Sequence, residues 1–413
     1  MQLSSNWTKP ALLIGLTGMT AFVIRGGKVL RPALGLVEAE IRIEAGEIAD
    51  IASVVPRDDA AVIDAEGAVI LPGIVDIHGD AFERQILPRP QARFPLDVAF
   101  METDRQLAAN GITTAYHGIT VSWEPGLRGL ASAEEIVATL DALDGRLACD
   151  HRLHIRWETF AHREMETVAD WLERRRKPLL AFNDHTTPSL NGTRKLAKIK
   201  TSADRAAVTA EEYGQLLEEA AGRGHAVKEA IGRMALIARS NGVAMLSHDD
   251  MTAEERGFYR GLGAGIAEFP MTEEAIASAT EAGDPIVLGA PNVVRGGSHN
   301  GALDATSAVL AGRCTILASD YYYPALLHAA FRLAAIGDLG LDEAWSLVSL
   351  NPAQACGLYD RGSLDIGKRA DIVIVSAPSG ELPAVRTTIA GGRVVFDAPG
   401  FRRGEALQPA FRQ

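Results

Sequence analysis

Leu71-Pro-Gly-Ile-Val-Asp-Ile-His-Gly-Asp80 decides how this chain is read. An apolar run stops on a His-x-Asp pair. In an extended segment residues two apart point the same way, so His78 and Asp80 can reach one point. Val69–His78 is the first of eight such apolar runs. The others are Thr113–Gly118, Arg152–Thr159, Leu179–His185, Val243–His248, Ile266–Pro270, Pro285–Pro291 and Thr315–Asp320. Helix-length segments separate them. Asp97–Asn110 closes at Gly111, and Ser132–Leu143 opens on Ser132 with Glu135 three residues on, the spacing of a capping box. Eight β-α repeats predict an α/β chain, a (β/α)8 TIM barrel over residues 69–361. A doubly wound sheet would need a Gly-rich nucleotide turn after its first strand, and Leu71-Pro-Gly-Ile does not supply one.

Outside the repeats the pattern changes. Phe22-Val-Ile before Arg25-Gly26-Gly27, the alternating Glu40-Ile-Arg-Ile-Glu before Ala45-Gly46-Glu47, and Ala61-Val-Ile-Asp before Glu66-Gly67 read as short antiparallel strands. The C-terminus repeats the style in Asp371-Ile-Val-Ile-Val and in Thr387-Thr-Ile-Ala-Gly-Gly-Arg-Val-Val-Phe. A small β-sandwich domain formed from both termini, residues 21–68 with 362–413, is expected. Residues 1–20 are expected to be an N-terminal extension. The apolar Ala11–Ile24 could imitate a signal peptide, but Gly15 and Gly18 interrupt it and it runs into a strand.

The chain has 413 residues, 47% hydrophobic and 23% charged, with a net charge of −12. This is ordinary globular usage. No apolar run reaches the roughly 18 residues of a membrane helix. The acidic balance weighs against nucleic acid and anionic membranes as partners, and leaves room for a local basic site that takes a small anionic substrate. Cys149, Cys314 and Cys356 form no C-x-x-C pair, so no disulfide framework is expected, in keeping with a cytoplasmic location. A homo-oligomer stays open.

Six side chains stand at or beside strand ends: His78, Asp80, Glu158, His185, His248 and Asp320. The C-terminal strand ends of a barrel converge on one mouth. Three imidazoles and three carboxylates meeting there suit divalent ions, one or two of them. Asp320 takes a proton from the activated water. The run Val294-Arg295-Gly296-Gly297-Ser298-His299 offers backbone N–H groups, a guanidinium and an imidazole, a combination that cradles phosphate. Arg295, Gly296, Gly297 and Ser298 are therefore substrate-binding candidates, with His299 a proton donor to the leaving group and Arg89 and Lys195 weaker phosphate contacts. Lys195 belongs to a basic stretch, Arg194, Lys195, Lys198 and Lys200, that opens an unusually long connection, Asn191–Gly224, with a helix from about Thr209 to Ala221. That connection is either a solvated face or a lid. His117, His151, His154, His162, His225 and His328 read as structural or surface histidines.

The ligand pattern resembles the amidohydrolase superfamily. So do Gly111-Ile-Thr-Thr, Ser349-Leu-Asn-Pro-Ala and Gly362-Ser-Leu-Asp-Ile-Gly-Lys-Arg-Ala-Asp-Ile-Val-Ile-Val. The resemblance implies that Glu158 bridges an ion held by His78, Asp80 and Asp320 to a second held by His185 and His248. Within the superfamily the chain is most similar to the PhnM group of phosphonate metabolism. The motifs concerned are Leu87-Pro-Arg-Pro, Asp184-His-Thr-Thr-Pro188, Ser247-His-Asp-Asp250, Glu268-Phe-Pro270, Gly289-Ala-Pro-Asn-Val-Val-Arg-Gly-Gly-Ser-His299 and Ser319-Asp-Tyr-Tyr322. The resemblance implies hydrolysis of alpha-D-ribose 1-methylphosphonate 5-triphosphate to the 5-phosphate and diphosphate, with zinc, or manganese or iron, as cofactor. A C–N bond hydrolase, a cyclic amidase or deaminase, shares the same metal set, and a non-enzymatic binding protein would lack part of it. The superfamily places its ligands on strands one, four, five, six and eight. Here the count gives one, three, four, five and eight, so either a strand between Ile119 and His151 has been passed over or a run between Ile266 and Pro291 lies outside the barrel.

Overall fold

The computed structural model describes residues 21–58, 60–190, 196–297, 304–337 and 339–398. The expected N-terminal extension, Lys195, Ser298 and His299 lie outside them.

Eight parallel strands follow one another in chain order: Ile74–Gly79, Ile112–Val121, Asp150–Glu158, Leu179–Asn183, Ala244–His248, Ile266–Glu268, Ile286–Gly289 and Ile316–Ala318. Each of the eight runs supplies one strand, with no extra strand before His151 and none of the eight outside the barrel. The sheet closes on itself where Asp320 N donates to His78 O at 2.9 Å and Asp80 N donates to Asp320 O at 2.9 Å. Buried Asp76 pins this seam. Its carboxylate accepts from Ser319 Oγ at 2.5 Å, from Ser319 N at 3.1 Å and from His78 N at 3.3 Å. The barrel interior is filled by Val75, Ile77, Tyr116, Ala181, Leu246, Ile266, Val287 and Ile316, so below its mouth the barrel is a packed core and not a pore.

Helices cover the outside. Leu96–Ala109 ends at Asn110 and Gly111, as the sequence pattern requires. The second helix corrects the capping expectation. It spans Leu130–Ala142 and starts from Gly129, after a short 3-10 turn at Gly126–Arg128. Ser132 is therefore already inside the helix, and Arg93 reaches across to Ser132 Oγ at 3.3 Å and to Glu135 at 2.7 Å. A true capping box opens Ala210–Ala221, where Thr209 and Glu212 exchange hydrogen bonds at the N-terminus.

The termini build a second layer pair. A four-stranded sheet has Glu47–Ala52, Glu40–Glu44, Ala21–Arg25 and Ala61–Asp64 in that order. A six-stranded sheet runs Arg393–Asp397, Ala384–Ala390, Ile372–Ser376, Val69–Pro72, Lys28–Arg31 and Gly35–Glu38. Phe22, Ile24, Ile41, Ile43, Ile70, Ile372, Ile374 and Ile389 form the core between them. Val69–Pro72, which the sequence reading ran into the first barrel strand, pairs antiparallel with Ile372–Ser376 and knits the two ends of the chain together. The small domain also grips the barrel: buried Trp345 donates from Nε1 to Pro72 O at 3.0 Å.

Candidate metal centre

The mouth of the barrel is assembled from strand ends, and three of its corners are bent. Asp249, Phe269 and Asp320 follow strands five, six and eight with φ of +62°, +52° and +53°. Non-glycine residues seldom take this conformation, and it turns their neighbours into the mouth. Gly79 separates His78 from Asp80 for a steric reason: a Cβ there would stand 2.8 Å from Asp76 Oδ2 and 3.1 Å from Ser319 Oγ.

Among the described residues three groups bring ligand atoms within 4.8 Å of one another: His78, Asp80 and Asp320; His185, His248 and Asp249; and His78, His248 and Glu268. The structure thus brings together five of the six predicted residues, His78, Asp80, His185, His248 and Asp320. Glu158 touches one of these five, His185. That carboxylate accepts from His185 N at 3.2 Å and pairs with His185 Nδ1, and it joins none of the three groups. Asp320 carries a carboxyl pushed up to about 6, first by burial and then by the charge of Asp80. Burial alone would lower the His185 imidazole, but Glu158 and Asp249 outweigh it and raise it to about 9.

Four members of the site were not expected. Glu268 ends strand six, fully buried, and binds His78 Nδ1 at 2.8 Å and His248 Nδ1 at 2.7 Å. The two rings stack with centroids 5.5 Å apart, and Glu268 leaves each Nε2 turned away from it. The positive side of these bonds holds the carboxylate of Glu268 well below its usual range, although burial pushes the other way. His154, read as structural, is part of this cluster. Its Nδ1 donates to Ile77 O at 2.8 Å, its Nε2 lies 3.6 Å from Glu268 Oε2, and that nitrogen has no hydrogen-bond partner. Arg156 lies 3.2 Å from His248 Nε2 and 3.6 Å from Asp80 Oδ2. Asp249, adjacent to His248, completes the second group. His154 and Arg156 could have been found by alternation, since positions 154, 156 and 158 share one strand face. Glu268 closes a strand as the other candidates do.

The donors fit a divalent ion. His78 Nε2, turned away from Glu268, and the crowded carboxylates of Asp80 and Asp320 are the nitrogen and oxygen ligands that zinc, manganese or iron accept.

The substrate-side candidates are less uniform. Arg295 ends the short helix Ala290–Arg295, and Gly296 takes φ +78° just beyond it. Arg295 NH1 lies 3.4 Å from the phenol of Tyr321. Gly297 follows at φ +134°. Arg89 is exposed in the turn after Leu87. Arg84 and Arg128 stand nearer, with Arg84 donating to Tyr321 O and Arg128 forked onto Glu83 at 2.9 and 2.8 Å. His117 is buried and bonded to His151 at 2.8 Å, as a structural histidine would be. His78, Asp80, His185, His248, Asp249 and Asp320 line a solvent-open pocket of about 740 Å³. Beside it opens a solvent-open cleft of about 1900 Å³ that, among the described residues, carries Asp184, Asp249, Asp250, Glu254 and Glu255 and no lysine or arginine.

Residues 89–396 match the amidohydrolase family. The chain belongs to that family. It is 33% identical over 352 residues, 82% of this chain and 91% of the relative, to the alpha-D-ribose 1-methylphosphonate 5-triphosphate diphosphatase of Escherichia coli strain K12. An adenine deaminase of Methylobacterium nodulans is 27% identical over 404 residues, 94% of this chain and 60% of that protein. Among solved structures, the N-isopropylammelide isopropylaminohydrolase of Burkholderia multivorans superposes with a TM-score of 0.61 at 20% identity, covering 91% of this chain and 98% of the other. That last likeness speaks for the fold alone. The expected site residues Glu158, His185 and His248 stand at or just after the ends of strands three, four and five, and Glu268 ends strand six.

Proposed function

We propose that this chain is a metal-dependent diphosphatase that cleaves alpha-D-ribose 1-methylphosphonate 5-triphosphate to the 5-phosphate and diphosphate. The observation that carries the reading is the 33% identity spread over 91% of the Escherichia coli enzyme. The donor set at the barrel mouth supports it. His78, Asp80 and Asp320 would hold the ion, with His185, His248 and Asp249 the alternative or second set. A divalent ion bound there supplies a Lewis acid and takes the pKa of its water from about 15.7 toward 7. Asp320 would accept a proton from that water and return it to a leaving oxygen. Arg295 and the backbone of Gly296 and Gly297 would hold the phosphate chain, with Ser298 a further phosphate contact and His299 protonating diphosphate.

A second reading, hydrolysis of a C–N bond, is favoured by the acidic cleft, where among the described residues a polyphosphate would meet five carboxylates and no lysine or arginine. The test is a diphosphate-release assay on ribosyl and nucleoside triphosphates run beside a panel of cyclic amides, with and without added metal. Diphosphate release that needs metal supports the first reading. Ring opening or ammonia release without diphosphate supports the second.

A further inference from the structure

The Arg156 guanidinium stands between two sets of ligands. NH2 reaches His248 Nε2 at 3.2 Å, and His248 belongs to the set with His185 and Asp249. NH1 reaches Asp80 Oδ2 at 3.6 Å, and Asp80 belongs to the set with His78 and Asp320. The side chain is only 5% exposed, so it cannot swing into solvent without leaving a buried gap. Its stem is seated by the neighbouring strand: a Cβ at Gly118 would lie 3.2 Å from Arg156 Cδ and 3.6 Å from His78 Nε2. Glycine there is the space that lets the guanidinium lie among the ligands. Glu158, the carboxylate that would have bridged two ions, is occupied by His185.

An arginine keeps its charge at every relevant pH. Divalent ions in both ligand sets would flank this fixed cation, in a buried place where charge is poorly screened. We infer that the centre is built for one divalent ion and that Arg156 supplies the second positive charge, as a direct ligand of the phosphate under attack. The planar fork can bind two non-bridging oxygens and stabilise the charge that grows on them. This role rests on the diphosphatase reading, whereas the count of ions does not.

The test reads metal content first. Wild-type protein, Arg156→Gln and Arg156→Lys are equilibrated with excess manganese or zinc, desalted and analysed for metal per folded chain. Steady-state diphosphate release follows. The expected result is one ion in the wild type, a second ion taken up by Arg156→Gln, and one ion in Arg156→Lys. Turnover should fall about 10²–10³-fold in Arg156→Gln, chiefly in kcat, with partial recovery in Arg156→Lys. Two ions in the wild type overturn the inference, and this measurement needs no variant to fold. Wild-type kcat in Arg156→Gln also overturns it. If no triphosphate is cleaved by any form, the diphosphatase reading fails while the count of ions still decides the centre.

Discussion

Glu268 is the side chain on which the geometry of the mouth turns. One carboxylate binds the Nδ1 atoms of two candidate ligands, His78 and His248, and so fixes both rings and both tautomers. Glu268→Gln can still accept one hydrogen bond but loses the charge and one of the two symmetric contacts. Metal affinity should fall roughly 10–100-fold, read by competition with a chelating dye. Unchanged affinity would show that the rings are held by other means. Asp320→Ala should retain the wild-type circular dichroism spectrum and lose turnover by about 10³-fold or more, because the proton acceptor is gone. His154 gives a pH prediction. Burial holds its imidazole down to about 3, against 6.5 for the free group. Between these values the unfolded chain carries a proton that the folded one excludes. Its contribution is therefore full above pH 6.5 and is lost as pH falls toward 3, at up to about 1.4 kcal/mol per pH unit. Urea midpoints of metal-free protein at pH 7 and pH 5 should differ less in His154→Gln than in the wild type. The candidates His78, Asp80, His185, His248 and Asp320 were legible because each stands at or beside the end of an apolar run, whereas Glu268 ends such a run and was passed over. Arg156 and His154 were not legible, because they sit inside a run and only the strand's alternation marks them.

The long connection after strand four shows what local signals can and cannot reveal. The helix Ala210–Ala221 begins where Thr209 and Glu212 announce it. Ser132 and Glu135 carry the same spacing and form no cap, because a 3-10 turn starts that helix earlier at Leu130. How the connection is anchored could not be read from the sequence, since the anchor comes from a distant loop. Buried Glu124, after strand two, accepts from Arg205 at 2.6 Å and from the Tyr213 hydroxyl at 2.9 Å. The connection therefore docks against the wall beside Glu158 and His185. Glu124→Ala should remove the acceptor that Arg205 and Tyr213 share, at a cost of roughly 1–3 kcal/mol. Hydrogen exchange should then speed up across 199–221 while the barrel strands stay protected. Uniform loss of protection would mean that this unit is not separable.

The whole barrel was readable because each of its eight strands is a short apolar run of its own, and the split small domain because both ends share one style of strand. The boundary between the two was less clear: Val69–Pro72 and Ile74–Gly79 form one unbroken apolar stretch but serve different sheets. The interlock there is Trp345, buried among helices of the barrel and bonded to Pro72 O. Trp345→Ala should cost about 3–5 kcal/mol and lower the melting temperature measured by calorimetry. A melting temperature within a degree of the wild type would show that the two parts are held elsewhere.

In the proposed function, side chains from the strand ends hold a divalent ion that makes water attack a phosphoric anhydride. Phosphorus NMR of the triphosphate substrate incubated with metal-loaded, chelator-treated and Asp320→Ala protein tests it directly. Diphosphate should appear with the loaded wild type alone. Equal diphosphate in all three samples, or none in any while a cyclic amide is opened, would contradict it.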